Sequence, residues 1–330
     1  MKTYILGSGS WGTALAQVLA ENNQDVTIWG INDDEVSDIN DNHQNTKYFD
    51  DVILDTRIKA TTDFNCISDA DIVLLAIPTN AIEEICKKLT NVIEKKVIVI
   101  NVAKGFHPDT HERLSVTIKN SIPSSKLIDV VSLIGPSHAE EVVLGLLTSI
   151  NAVCENIDSA IVVQKLFSNN KFRVYTNTDV VGAEVGVALK NIMAIASGIL
   201  SGLNQGDNAR AALMTRGLAE ISRYGIKQGA KPETYLGLTG VGDLIVTCTS
   251  KHSRNFQAGY KIGTDNSSEK FWKENKKTVE GVNAVKVIYL ESIKQGIDMP
   301  ITAEIYRVLY EGKKPDLAIK ELMSRDLKSE

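Results

Sequence analysis

Two features of this chain combine residue types and spacing in a way that could carry chemistry. Gly7-Ser8-Gly9-Ser10-Trp11-Gly12 has the G-x-G-x-x-G spacing of a dinucleotide loop. In that pattern Gly7 permits a tight turn, Gly9 lets the backbone approach a pyrophosphate, and Gly12 permits close packing of a helix on a strand. The N–H groups of the helix that follows then meet the phosphates with a partial positive charge. The second feature is Lys190, inside the apolar run Ala183-Glu184-Val185-Gly186-Val187-Ala188-Leu189-Lys190-Asn191-Ile192. Desolvation lowers a lysine's pKa toward neutrality, which suits a base that takes the proton of an alcohol as hydride leaves carbon. In the opposite direction an ammonium returns the proton to a carbonyl oxygen. A lysine in such a run can also extend its stem to the surface, so the run alone leaves the role of Lys190 open.

Further candidates lie at the ends of predicted elements. Asn101-Val102-Ala103-Lys104-Gly105 follows a strand-like run, which puts Lys104 at the carboxyl end of a sheet, where α/β folds bind ligands. Gly135-Pro136-Ser137-His138-Ala139 follows the next run; Gly135 allows close backbone approach, and Ser137 either faces the same region or only caps a helix. Ser253 is expected to cap a helix, with Arg254 and Asn255 offering donors to a phosphate or carboxylate beside free N–H groups. Gly240-Val241-Gly242-Asp243 places an acid on a glycine turn. Asp243 could orient Lys190, bind a substrate hydroxyl, or be an ordinary turn aspartate. Asp33 and Asp34, after the second strand, could bond the hydroxyls of an adenosine ribose or cap the next helix, and no basic residue stands nearby for a 2′-phosphate. His43, His107, His111, His138 and His252 lack metal-ligand spacing, so neither a metal nor a histidine base is expected.

Strands that end together must position these residues. Tyr4–Leu6, Val26–Trp29, Asp71–Ile77, Val97–Asn101 and Val130–Ile134 read as strands, and Ser149–Cys154 and Phe172–Tyr175 as two more. The runs are continuously apolar, as expected for a parallel sheet covered on both faces. Helical patterns at Gly12–Glu21, Asn80–Leu89, Thr110–Asn120 and Asp158–Phe167 alternate with them, which predicts a doubly wound α/β domain of Rossmann type. From about Asp179 the patterns are helical only: Ala183–Leu200, Asn208–Gln228, Ser253–Lys261, Gly281–Gln295 and Ile301–Tyr310. The expected division is a dinucleotide-binding domain over 1–180 and an all-helical substrate-binding and catalytic domain over 181–330.

A chain of 330 residues suggests two domains, and a net charge of −5 argues against a nucleic-acid binder. Cys66, Cys86, Cys154 and Cys248 are scattered, as reduced thiols of a cytosolic protein would be. The apolar stretch Tyr4–Ala20 contains the glycine loop and follows a single lysine, so it is read as the first βα unit rather than a signal peptide. Val185–Leu203 is apolar and long but carries Lys190 at its centre, which favours a buried helix over membrane insertion.

With these residues in place, the chain resembles the bacterial NAD(P)-dependent glycerol-3-phosphate dehydrogenases over nearly its whole length. The resemblance is carried by the Gly7–Gly12 loop, Ala103-Lys104-Gly105, Gly135-Pro136-Ser137-His138-Ala139-Glu140-Glu141-Val142, Ala188-Leu189-Lys190-Asn191 and Gly206-Asp207-Asn208-Ala209-Arg210. Gly237-Leu238-Thr239-Gly240-Val241-Gly242-Asp243-Leu244, Ser253-Arg254-Asn255 and Val279-Glu280-Gly281 complete it in order. It implies that Lys190 is the general acid/base, with Lys104 and Asp243 beside the chemistry. It implies that Lys104, Gly135, Ser137, Asn191, Asp243, Ser253, Arg254 and Asn255 hold glycerol phosphate. Ser10, Trp11, Lys104, Ala139, Arg254, Val279 and Glu280 would contact NAD or NADP. The family interconverts sn-glycerol 3-phosphate and dihydroxyacetone phosphate for phospholipid synthesis, in the cytoplasm and commonly as a homodimer. One departure stands out: many members carry a basic residue after the second strand where this chain has Ile31, so NADH is expected to serve at least as well as NADPH. The competing expectations are a two-domain hydroxy-acid dehydrogenase of related architecture and a non-catalytic dinucleotide sensor.

Overall fold

The computed structural model describes residues 1–275, 279–327 and 329, and it divides into two compact units, Met1–Val180 and Val181–Glu330. In chain order the first unit contains β1 (Thr3–Leu6), α1 (Ser10–Glu21), β2 (Val26–Trp29), α2 (Asp33–Ser37), β3 (Lys59–Thr61), β4 (Ile72–Leu75), α3 (Ile82–Val92) and β5 (Val97–Asn101). It continues with α4 (Leu114–Ser121), β6 (Leu127–Ile134), α5 (Ala139–Val143), β7 (Thr148–Val153), α6 (Ile157–Phe167) and β8 (Phe172–Asn177).

The strands form one eight-stranded sheet in the order β3-β2-β1-β4-β5-β6-β7-β8. The order reverses at β1, so the loop after β1 lies at a topological switch point, the usual ligand position of such sheets. Successive residues of β1 point to opposite faces. Ile5 enters a core with Leu15 and Leu19 of α1 and Val163 and Phe167 of α6. Leu6 enters a second core with Cys86 and Leu89 of α3 and Leu114 and Ile118 of α4. Coverage of both faces is why the strands read as unbroken apolar runs.

Four local features differ from the sequence expectations. The sheet is not wholly parallel: β7 runs antiparallel to β6, while β8 is parallel to β7. The edge strand β3 was not anticipated; it is three residues long and begins with a lysine, too short for a periodic signal. Helix α4 starts at Leu114 rather than Thr110, because the His107 Nδ1 accepts the backbone N–H groups of Asp109 and Thr110 and shapes a turn. Helix α3 begins at Ile82, after a short 3₁₀ turn at Thr79–Ala81.

The second unit is helical: α7 (Val180–Gly202), α8 (Gly206–Lys227), α9 (Asp243–Thr249), α10 (Arg254–Asp265), α11 (Glu269–Glu274), α12 (Glu280–Gln295), α13 (Pro300–Tyr310) and α14 (Pro315–Met323). Among the described residues it contains no strand. Helix α7 is the one helix among the described residues long and apolar enough to cross a membrane, and 89% of its apolar window is buried inside the protein. It packs closely on α10. A Cβ on Gly198 would come within 2.1 Å of the Phe256 carbonyl oxygen, and one on Gly259 within 2.0 Å of that of Ile195. Only bare backbones allow that approach, and it fixes the α7 side chains relative to the start of α10.

Candidate active site

The glycine loop turns directly out of β1. Gly7 has φ +120°, and a Cβ there would lie 2.3 Å from the Ala76 carbonyl oxygen. A Cβ on Gly12 would lie 2.1 Å from the Gly7 carbonyl oxygen, so α1 can meet the strand only with a glycine at its first turn. Gly9 differs: nothing lies within 4 Å of a Cβ built on it. It is the N-cap of α1, with no side-chain cap and no acid in the first turn. The opening of α1 therefore offers its N–H groups and dipole to an outside anion, and these residues fit a dinucleotide pyrophosphate. Ser10 and Trp11 stand partly exposed on this first turn, with Trp11 against the apolar core.

The other residues of the loop are tied down. Asn45 Nδ2 donates to the Ser8 carbonyl at 2.8 Å and to Thr13 Oγ1 at 2.8 Å. Ser8 Oγ donates to Glu35 Oε2 at 2.5 Å, and Lys47 Nζ pairs with Glu35 Oε1 at 2.5 Å. The expectation that Asp33 or Asp34 caps the next helix is corrected: Asn32 is the N-cap of α2, accepting from the N–H groups of Asp34 and Glu35. Glu35 is the acid that reaches the loop, and the sequence reading passed over it.

Lys104, Gly135 and Ser137 come together at the carboxyl ends of β5 and β6. Lys104 Nζ donates to the Gly135 carbonyl at 3.0 Å, and Ser137 Oγ donates to the same oxygen at 3.2 Å. Ser137 is thus not a helix cap; His138 occupies that position for α5. Gly135 (φ +155°) is bare because a Cβ would lie 2.9 Å from Ile150 Cα on β7. Ala139 is the buried first residue of α5.

In the second unit Lys190 does not reach the surface. It is 3% exposed, and Asp243 is 0% exposed. Lys190 Nζ meets Asp243 Oδ1 at 2.5 Å and donates to Thr247 Oγ1 at 2.6 Å. Asp243 is not a turn aspartate. The glycine-rich segment winds a π-type turn, Leu238–Gly242, that delivers Asp243 as the buried first residue of α9. A Cβ on Gly186 of α7 would lie 2.5 Å from the Thr239 carbonyl oxygen, so this turn rests directly on α7 one helical turn before Lys190. Thr247 was not anticipated. Its signal was available, since it lies four residues after Asp243 on the same helix face.

Beside the pair, Ser253 caps α10, its Oγ accepting the N–H of Phe256 at 3.2 Å. Arg254 opens the helix on its exposed side, and Asn255 is buried. Asn255 Oδ1 accepts the N–H of Gly281 at 2.9 Å, which ties α10 to the start of α12. Asn191 Nδ2 donates to Glu280 Oε2 at 3.2 Å, tying α7 to the same place. Val279 is the N-cap of α12 and is buried. Lys190, Asn191, Asp243, Ser253, Asn255 and Glu280 are therefore joined through three helix starts and one buried helix. Cys248 lies fully buried next to this cluster, and burial pushes its thiol up to about 12, so it carries no thiolate. No cluster of three or more metal-ligating side chains occurs among the described residues.

A buried amine locked to a carboxylate suits movement of a proton. Carried in one chain with a switch-point dinucleotide loop, it defines a class: a dinucleotide-dependent oxidoreductase with a Rossmann-type unit and a helical unit. Residues 2–160 match the family described as NAD-dependent glycerol-3-phosphate dehydrogenase N-terminus, and residues 179–320 match its C-terminus. This chain belongs to the NAD(P)-dependent glycerol-3-phosphate dehydrogenase family. It is 48% identical over 330 residues to glycerol-3-phosphate dehydrogenase (NAD(P)+) of Lysinibacillus sphaericus, covering 100% of this chain and 98% of that protein. It is 49% identical over 330 residues to the protein of the same name from Staphylococcus haemolyticus, covering 100% and 99%. Among solved structures, glycerol-3-phosphate dehydrogenase from Coxiella burnetii superposes with a TM-score of 0.90 at 33% identity, over 98% of this chain and 99% of that one. Relatedness over the whole length does not favour the hydroxy-acid dehydrogenase or the non-catalytic sensor.

Proposed function

We propose that this chain interconverts sn-glycerol 3-phosphate and dihydroxyacetone phosphate by hydride transfer with NAD or NADP. The observation that carries this reading is the buried Lys190–Asp243 pair with Thr247 on the same amine. When bound, the nicotinamide supplies a two-electron hydride acceptor or donor. Lys190 Nζ takes the proton of the C2 hydroxyl in oxidation and returns it to the carbonyl oxygen in reduction. Asp243 and Thr247 aim the amine, and Asp243 supplies the countercharge that a buried ammonium requires. Ser253, Arg254 and Asn255 at the start of α10 hold the phosphate, helped by that helix's dipole.

In the same reading the residues around the glycine loop, Ser10 and Trp11 with Ala139, hold the dinucleotide, with Val279 and Glu280 as further contacts. Lys104, Gly135, Ser137 and Asn191 complete the substrate contacts. The chain works in the cytoplasm as a homodimer; support for this comes from the family resemblance, and burial of α7 inside the protein is consistent with no membrane insertion.

The test is oxidation of NADH and NADPH in parallel, with dihydroxyacetone phosphate against small keto acids. Selective turnover of dihydroxyacetone phosphate is expected, and equal or better turnover of a keto acid overturns the reading. Lys190→Ala is expected to abolish turnover while dinucleotide binding stays nearly intact. Near-wild-type turnover in that variant would refute the acid/base role.

A further inference from the structure

The Ser8–Glu35–Lys47 relay lies where dinucleotide enzymes distinguish a plain adenosine ribose from its 2′-phosphate. In switch-point sheets the ribose sits beyond the glycine loop at the carboxyl end of the second strand. Here that strand is β2, which ends at Trp29, and Gly30 follows it directly. A Cβ on Gly30 would lie 2.6 Å from Ser8 Oγ, so the serine hydroxyl fills the space a side chain would need. The hydroxyl donates to Glu35, which is 7% exposed, and the other carboxylate oxygen holds Lys47. Ile31, the next residue along, is 85% exposed and offers no charge. The first turn of α2 carries Asp33, Asp34 and Glu35. Lys47 is the cation that meets this acidic turn, and Glu35 already binds it.

We propose that Glu35 is a positioning residue for cofactor choice: it holds Lys47 away from a ribose 2′-phosphate and leaves that position acidic, so the chain favours NAD over NADP. A 2′-phosphate brings close to two negative charges and needs a cation free to pair with it. A ribose hydroxyl brings none and is satisfied by an oxygen acceptor. The relay thus sets selectivity without a basic residue after β2. This inference rests on the dinucleotide reading of the Gly7–Gly12 loop.

The test measures the Kd of NADH and of NADPH directly, then kcat/KM for each with dihydroxyacetone phosphate, in wild type, Glu35→Leu, Lys47→Ala and the double variant. Wild type is expected to use NADH at least as well as NADPH. Glu35→Leu frees Lys47 and should move the NADPH-to-NADH ratio toward NADPH by roughly tenfold or more, the worth of one charge-assisted hydrogen bond. The double variant should lose that gain, and Lys47→Ala alone should move the ratio the other way. Loss of packing cannot produce a gain that depends on Lys47. Should Glu35→Leu fail to fold, Glu35→Gln keeps the shape and the Ser8 contact, removes the charge, and must move the ratio in the same direction. A ratio within twofold of wild type in the folded Glu35 variant, or a gain that survives Lys47→Ala, overturns the proposal. A wild type that binds NADH but does not turn over dihydroxyacetone phosphate overturns the reaction and leaves the Kd ratios to decide this point. A wild type that binds neither dinucleotide overturns both.

Discussion

Replacing Asp243 by asparagine should cost this protein much of its stability, and replacing both members of its pair should cost far less. Lys190 is 3% exposed and Asp243 0% exposed, with Nζ and Oδ1 2.5 Å apart. Neither group can turn to water when its partner is removed. Breaking such a pair from one side leaves an uncompensated buried charge, at about 3–5 kcal/mol. Against a total stability of about 5–15 kcal/mol that is a large share. For a unit of this size each kcal/mol moves the melting temperature by about 2–4 °C, so the expected fall is roughly 6–20 °C.

Asp243→Asn keeps the side-chain shape and the α9 start, so cavity formation adds little. Lys190→Met should lose a comparable amount by removing the cation that balances the buried carboxylate. The double variant, Lys190→Met with Asp243→Leu, removes both charges and keeps apolar bulk; such exchanges are often neutral or stabilising. Denaturant titration of wild type, Lys190→Met, Asp243→Leu and the double variant gives the coupling energy directly. A double variant at least as stable as either single, with none of the three active, would show that the pair is kept for proton chemistry rather than for stability. Two outcomes refute the reasoning: single variants within about 1 kcal/mol of wild type, or losses that simply add in the double.

Two further perturbations address the phosphate and the helical scaffold. Arg254→Ala removes an exposed guanidinium at the start of α10, so stability should hold while the KM for dihydroxyacetone phosphate rises by roughly 10–100-fold, as for a lost charge-assisted contact. An unchanged KM would mean that the phosphate lies elsewhere. Glu220 accepts the N–H of Ile301 at 2.5 Å, the N–H of Thr302 at 3.2 Å and the Thr302 hydroxyl at 3.1 Å, joining α8 to the start of α13. Burial pushes this carboxyl up from 4.5 to about 7 despite those donors. The folded protein therefore keeps a proton there that the unfolded chain has released. The stability this contributes is present below about pH 4.5 and is lost as pH rises toward 7, by at most about 3 kcal/mol. Glu220→Gln should flatten the curve of denaturation midpoint against pH over that window, and an unaltered slope would assign the dependence to other groups.

Much of the first unit was legible because its elements are regular. β1, β2 and β5 lie where their apolar runs predict, and the glycine spacing is imposed by backbone contacts that the structure shows at Gly7 and Gly12. The direction of β7 was not legible. A strand buried on both faces has the same composition whichever way it runs, and the β6–β7 link holds only the five-residue α5, not a long crossover helix. Turn chemistry also escaped, because the His107 ring and the Asn32 side chain take up backbone N–H groups that simple periodicity gives to helices.

The proposed catalytic cluster divides along a different line. Lys190 could not be told from a surface-reaching lysine by its own surroundings in the sequence. Its meaning depends on Asp243 and Thr247, which are distant in the chain and delivered by two packing devices: a π-type turn resting on Gly186 and the glycine contact between α7 and α10. Small residues that look like interruptions in apolar helices are what allow those backbones to close on the amine. The same argument applies to Glu35. Nothing in Asp33-Asp34-Glu35 marks its last residue, and only the approach of Ser8 to the bare Gly30 brings that carboxylate to the loop. Where a function rests on a side chain's partner rather than on its type, the glycines that let the partner approach are the residues to read first.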